Sequence, residues 1–401
     1  MTPADGGWQS TPFGRLAMVN LTSSAGDALV LIALAGSVFV SVPLHAARGR
    51  TALGLLCTLL PFAVVAPVIG PAADRSRRGK RFVLFLAAAG RTAAAVMMVA
   101  WLHSLLLFPA AFLSLVCSKT HAVARSALVP GYIPGPPEFV RANSRLVVGS
   151  GLAAAGAAAV GSAIYALFGS GRLLEVDAFV FASTAALSLM LPAPSEPGAG
   201  LTAEATGPDR GRRPAHDLGR SSLVMGGTRA MTGFITALIA FGFRATGTSL
   251  IWYGLAAAAA VVGNLSGAVA APRARRLVRS EAWMVALSSV AIAAAAAALV
   301  VSGAARHPYG AVMLAAGAGL AATVAKNAFD AQVQADVEAA NRARAFGRFD
   351  AGFQCGWVLA ALVPTLIAVP MTAGFTTVGT VQLILGAGLM VHLLRRRDYR
   401  G

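Results

Sequence analysis

Apolar residues come in twelve blocks of about 20 residues or more, and this pattern limits the chain to a few folds. A helix needs about 20 such residues to cross a hydrocarbon core about 30 Å thick. Lipid offers no hydrogen bonds to a bare backbone, so a crossing segment must be a helix or part of a closed barrel. Ala, Gly and Leu dominate the blocks, which favours helices. They fall at roughly 14–41, 52–72, 82–102, 105–125, 144–168, 173–192, 223–243, 249–271, 282–302, 309–331, 349–370 and 375–394. Only 12% of the 401 residues are charged, about half the roughly 25% of an ordinary soluble domain. The expected fold is an all-α membrane protein of twelve transmembrane helices. The first block, from near Phe13 to about Val42, is too long for the apolar core of a cleavable signal peptide.

The basic residues write an orientation. With the N-terminus inside, the cytoplasmic gaps and tail hold 22 of them and the external gaps hold 5 (Arg48, Arg50, Arg172, Arg244 and Arg306). Every cytoplasmic gap contributes, from Arg75, Arg77, Arg78, Lys80 and Arg81 after span 2 to Arg395, Arg396, Arg397 and Arg400 in the tail. The opposite orientation would break the positive-inside rule at every gap. Both termini are therefore expected in the cytoplasm. The net charge of +17 follows from this distribution and argues against a nucleic-acid partner. Anionic lipid at the inner surface of a cell membrane is the expected counterpart.

Residues 193–217 are rich in Pro, Gly and charge and lack an apolar period. They are expected to form a flexible cytoplasmic linker between two six-helix bundles, residues 1–192 and 218–401. The two bundles resemble each other weakly. SKTHAVARSALVP around Lys119 matches AKNAFDAQVQADV around Lys326 in pattern. Such pseudo-symmetric halves suit a carrier that rocks around a central site.

Span 2 ends in GPAADRSRRGKRFVLF, with Gly70, Asp74, Arg75, Gly79, Lys80 and Arg81 at its key positions. This segment resembles the loop between helices 2 and 3 of the major facilitator superfamily, although its second Gly stands two residues later than usual. The stretch ARSALVPGYIP followed by VRANSRL resembles the helix 4 to helix 5 region of exporter-like members. The resemblance implies a secondary transporter. It also implies that the Gly70–Arg81 cluster latches the cytoplasmic side when the carrier opens outward. A carboxylate at Asp74 can accept backbone N–H groups at a helix N-terminus, and the bases can sit at the lipid surface. A plain positive-inside loop would carry the same charges. The Gly-Pro pair common in helix 5 of proton antiporters is missing from VVGSGLAAAGAAAVGSAIYALFG, which weakens the expectation of antiport.

Charges at membrane depth cost about 2.5–3.5 kcal/mol each on insertion scales and mark candidate functional sites. Asp27 lies about 20 Å along span 1 among small apolar residues. It is either a proton- or substrate-binding carboxylate or the partner of a base such as Arg91 or Lys119. Arg91 is expected to be structural, with room to snorkel. Lys119 forms a polar patch with Cys117, Ser118 and Thr120, and Arg125 is placed near the cytoplasmic end. Lys326 and Asp330 are four apart and share a helix face, either as a neutral pair or as a pair facing a cavity. Arg229, Asp350 and Gln354 complete the candidates, while Glu175 and Asp177 are expected on a solvated rim.

The remaining features carry bland expectations. Cys57, Cys117 and Cys355 are expected to be small buried residues, and the six histidines have no metal-ligand spacing. Trp101, Trp252, Tyr253, Trp283 and Tyr309 fit an interfacial belt. Phe241 and Phe329 are candidates for lining a cavity. No nucleotide-binding loop is present, and no cofactor, resident metal or enzymatic chemistry is expected. The expected function is export of a small amphipathic compound coupled to proton entry, by a monomer working through alternating access. An importer or uniporter of a small metabolite and a transport-inactive receptor are the alternatives.

Overall fold

The structure is a computed structural model and describes residues 11–38, 59, 77–194, 215–278 and 280–398. Ten helices among the described residues are long and apolar enough to cross a membrane. They are α1 (Pro12–Val38), α2 (Arg77–Ala100), α3 (Leu107–Leu128), α4 (Phe139–Leu189) and α5 (Ala215–Ala245). Then follow α6 (Leu250–Leu277), α7 (Glu281–Val301), α8 (Pro308–Asp336), α9 (Arg342–Leu366) and α10 (Met371–Asp398). The expected span at 52–72 lies outside the described residues except for Leu59, as do Gly70, Asp74 and Arg75, Cys57 and most of the linker.

One expected boundary holds and one moves. Spans 5 and 6 part at Gly169, inside the expected gap between 168 and 173: α4 is two helices that meet at a kink there, where φ is 79°. Only glycine adopts that conformation without a Cβ penalty, so the chain bends there without a loop. The two arms, of roughly 30 and roughly 20 residues, are each long enough to cross a bilayer core. In addition α9 starts at Arg342, so Arg344 and Arg348 ride on helix and not in a gap.

The chain divides into two compact units. Unit 1 comprises Met1–His45, Pro61–Arg210 and Val337–Arg348, and unit 2 comprises Ala46–Leu60, Gly211–Asp336 and Phe349–Gly401. In unit 1, α1 packs along α4, and α2 packs on α3 and α4. Leu29, Met98, Leu107, Leu173 and Leu174 form part of its apolar core. Gly26 leaves α1 open to Phe181 of α4, whose ring would collide with any added Cβ.

In unit 2, α8 packs on α6 and α7, and α7 on α10. The α6–α8 contact is close because its residues are small. Gly263 and Gly267, one turn apart, lie against the backbone carbonyls of Ala316 and Leu320, and Gly319 answers from α8 against Ala260. Lipid tails are as apolar as leucine, so such packing and interhelical hydrogen bonds hold membrane helices together. Thr323 supplies one such bond, donating to Asn264 Oδ1 at 2.9 Å. At the α6–α7 turn, Ser280 accepts from the Trp283 N–H as an N-cap, and Arg275 pairs with Glu281 at 2.9 Å. Both arrangements satisfy the positive N-terminal end of α7.

Candidate functional site

Unit 1 brings charged and polar side chains together near the middle of four membrane-length helical segments. Asp27 of α1, Arg91 of α2, Ser118 of α3 and Asp177 of the second arm of α4 each lie within about a turn of the midpoint of their segment. For helices that span a bilayer, this puts them near mid-depth. Arg91 is the hub. Its Nη2 donates to Asp27 Oδ1 and its Nη1 donates to Ser23 Oγ at 2.8 Å. The guanidinium lies 3.7 Å from the centre of the Phe181 ring, a cation–π arrangement that favours the charged form in apolar surroundings. Ser118 Oγ donates to the same Asp27 oxygen at 3.1 Å. Arg91 is 1% exposed, whereas the Asp27 side chain is 50% exposed. Asp27 is thus half accessible and Arg91 sealed.

The structure bears on three expectations for unit 1. Arg91 does not snorkel, because Ser23, Asp27 and Phe181 hold it inside. Arg125 lies in the last turn of α3, at the expected end, and donates to Asn20 Oδ1 at 2.8 Å. Asn20 in turn donates to Ser150 Oγ at 2.5 Å. Asp177 is not on a rim but fully buried. Only Glu175 sits on the rim, paired with Arg172 at 2.6 Å. Helical spacing explains the difference. Leu173, Asp177, Phe181, Thr184 and Ser188 form one buried stripe, and Glu175 lies off it. His121 is also buried, and neither ring nitrogen has a hydrogen-bond partner among the described residues. Lys119 is half-buried on α3 beside Ser118. Cys117 is partly buried, while Cys355 is exposed and not a core residue.

Unit 2 holds a second cluster. Lys326 Nζ lies 2.5 Å from Asp330 Oδ1 on α8 and 3.5 Å from Asp350 Oδ1 on α9. The expected Lys326–Asp330 pair is present, and Asp350 makes it a three-way group. The charges of Asp350 and Asp330 also act on Arg229 of α5. Gln354 stands half-buried one turn beyond Asp350. Phe329 is fully buried and packs edge-on against Phe349 and Phe353, so it fills the core behind this group. A further network was not legible in the sequence. Ser289 of α7 donates to Gln382 Oε1 of α10, and Thr228 of α5 reaches the same oxygen at 3.3 Å. Among the described residues no three His, Cys, Asp or Glu side chains group as metal ligands do.

Of the expected latch, Gly79, Lys80 and Arg81 are described. Lys80 is buried and its Nζ donates to the carbonyl of Ala339 at 2.5 Å, within unit 1. Arg81 lies near Tyr132, whose hydroxyl donates to the Pro192 carbonyl at 2.9 Å. Burial pushes the Tyr132 phenol up to about 12, with Arg81 pulling the other way.

No protein-family model matches the chain. It is 31% identical over 411 residues to the uncharacterized protein ML2143 of Mycobacterium leprae, an alignment covering 94% of this chain and 70% of that one. It is 36% identical over 187 residues to the uncharacterized protein Rv0876c of Mycobacterium tuberculosis, covering 43% of this chain and 33% of the relative. Among solved structures, the human organic anion transporter MFSD10 superposes with a TM-score of 0.71 at 16% identity, over 95% of this chain and 100% of that one. A bacterial homologue of the iron transporter ferroportin, outward-facing, gives 0.69 at 12% identity over 96% and 99%. The major facilitator superfamily transporter FucP, in its outward conformation, gives 0.66 at 10% identity over 94% and 98%.

Proposed function

The chain belongs to the family of the mycobacterial protein ML2143 and has the major facilitator fold, and from that premise we propose that it is a secondary active transporter. It moves a small amphipathic compound outward across the cell membrane by alternating access, driven by proton entry. It works as a monomer, with both termini in the cytoplasm and its basic gaps against anionic lipid.

The observation that carries this reading is the Asp27–Arg91 pair, set at mid-helix with the carboxylate half accessible and the base sealed. A half-exposed carboxylate beside a fixed cation can exchange between a proton, a substrate cation or water and its partner. Lys326, Asp330, Asp350 and Arg229 give unit 2 a matching group of exchangeable charges, with Lys119 and Gln354 as further substrate contacts. Near mid-helix in unit 1 the cations Arg91 and Lys119 stand against the carboxylates Asp27 and Asp177. Organic anions, the class named for human MFSD10, are the first compounds to try on this fold. The Lys80–Ala339 bond supports a latch role for the Gly70–Arg81 segment.

The experiment is proton flux in proteoliposomes carrying a pH dye, screened with small amphipathic anions. A compound whose addition moves protons supports the coupled carrier. Compound movement without protons would point to a uniporter or importer. No movement across a broad screen would favour the transport-inactive receptor.

A further inference from the structure

Asp177 has no role in the pair just described, yet it is the most deeply buried acid among the described residues, at 0% exposure. Neither of its oxygens has a hydrogen-bond partner among the described residues. Arg91 shows the complementary deficit. Nη1 is spent on Ser23 and Nη2 on Asp27, and buried Nε has no partner among those residues. The charges of Arg91 and Asp177 act directly on each other. Phe181, the ring under the guanidinium, is one turn from Asp177 on the same buried stripe. One cation therefore stands before two carboxyls and is hydrogen-bonded to only one of them.

An ionised carboxylate with no hydrogen bond in an apolar interior is a costly state. Two carboxylates facing one guanidinium would also repel each other and leave the group one charge out of balance. A single proton on the carboxyl that lacks the hydrogen bonds removes both penalties. Resting on the reading of this chain as a proton-coupled carrier, we propose that Asp177 is the proton-binding carboxyl of unit 1. In this scheme Arg91 exchanges between Asp27 and Asp177 as the proton comes and goes.

The exchange balances in atoms and charge. With Arg91 on Asp27, Asp177 holds its proton as a neutral acid. When Asp27 takes a proton or a cationic group, Arg91 turns to Asp177, whose proton leaves to water. Arg91 remains a cation throughout and no covalent bond changes apart from O–H. The groups facing Asp177 are Asp27 from α1 and Arg91 from α2, the two helices packed along α4. Cys117 and His121 of α3 also feel the charge of Arg91. On the arm of Asp177 itself, Arg172 and Glu175 are exposed and paired with each other.

Infrared titration of the purified chain in lipid nanodiscs tests this without any substrate. The wild type should show the carbonyl band of a protonated carboxylic acid at neutral pH, and Asp177→Asn should lose it. Asp27→Asn should keep the band but move its titration midpoint down by about a pH unit or more, because Arg91 is then free to turn to Asp177. If Asp177→Asn does not fold, Asp177→Glu should keep a band at a shifted frequency. A wild type without the band overturns the proposal. So does a band unchanged in Asp177→Asn or Asp177→Glu. A midpoint unmoved in Asp27→Asn overturns the exchange. Proton flux in proteoliposomes fails or succeeds separately, so a coupled carrier without this band would refute the role of Asp177 alone.

Discussion

Arg91 reaches from α2 to Asp27 on α1 with one arm of its guanidinium while its face rests on the ring of Phe181. The base is sealed and the acid half accessible, so each has a different consequence when removed. Arg91→Ala strands Asp27, leaves buried Asp177 without its cation and empties the space over Phe181. Breaking a buried pair by removing one partner costs about 3–5 kcal/mol, and the exposure of Asp27 puts the expected loss at the low end. Arg91→Lys keeps the charge but not the fork and should lose less. Thermal unfolding in detergent, followed by size-exclusion chromatography, checks the order.

The unit 2 group makes a similar prediction with an internal control. Lys326 serves two carboxylates, Asp330 at 2.5 Å and Asp350 at 3.5 Å. Lys326→Ala should therefore destabilise more than Lys326→Ala combined with Asp330→Ala, which removes one of the abandoned charges. The expected coupling is about 0.5–3 kcal/mol. A double-mutant cycle of unfolding free energies measures it.

Helix packing gives a contrast between glycines of one helix. Gly267 lies against the Leu320 carbonyl, whereas Gly254 has open space around its missing Cβ. Gly267→Val should cost about 1–3 kcal/mol or more through forced separation of α6 and α8. Gly254→Ala should be neutral or gain up to about 1 kcal/mol, because alanine is the better helix former. Melting temperatures of the two variants, measured side by side, decide it.

Tyr132 supplies a pH dependence outside the membrane spans. Its phenol goes from 10.0 to about 12 on folding. Below pH 10 both states hold the proton, and the group adds no slope. Between about 10 and about 12 the folded chain binds the proton more tightly, so stability falls as pH rises. Tyr132→Phe should flatten this alkaline fall, and should lose about 0.5–1.5 kcal/mol at neutral pH with the bond to Pro192. Melts of wild type and variant from pH 8 to about 12 show the slope or its absence.

The helices were legible because lipid leaves a long apolar block few alternatives. Spacing along one helix also exposed the Lys326–Asp330 pair. The break inside α4 was expected between 168 and 173 and falls at Gly169, but the polar neighbours that suggest a loop there hid a kink at a single glycine with a φ of 79°. Asp177 was misplaced for a related reason. Its neighbours Arg172 and Glu175 look like a rim, and only the stripe through Leu173, Phe181 and Thr184 turns it inward. The Arg91–Asp27 partnership was one of two open choices, since which base meets Asp27 depends on how α2 and α3 lie against α1. The Ser289–Gln382 link joins α7 and α10, and no local pattern announces it.

The most direct test of the central claim is transport by Asp27→Asn in proteoliposomes, for a compound that moves protons with the wild type. Asn at this position can still accept from Arg91 and Ser118, so the chain should stay folded. The account predicts that unlabelled compound inside still exchanges with labelled compound outside, while proton movement on compound addition is lost. Proton movement equal to that of the wild type would contradict it and leave Asp27 a structural partner of Arg91.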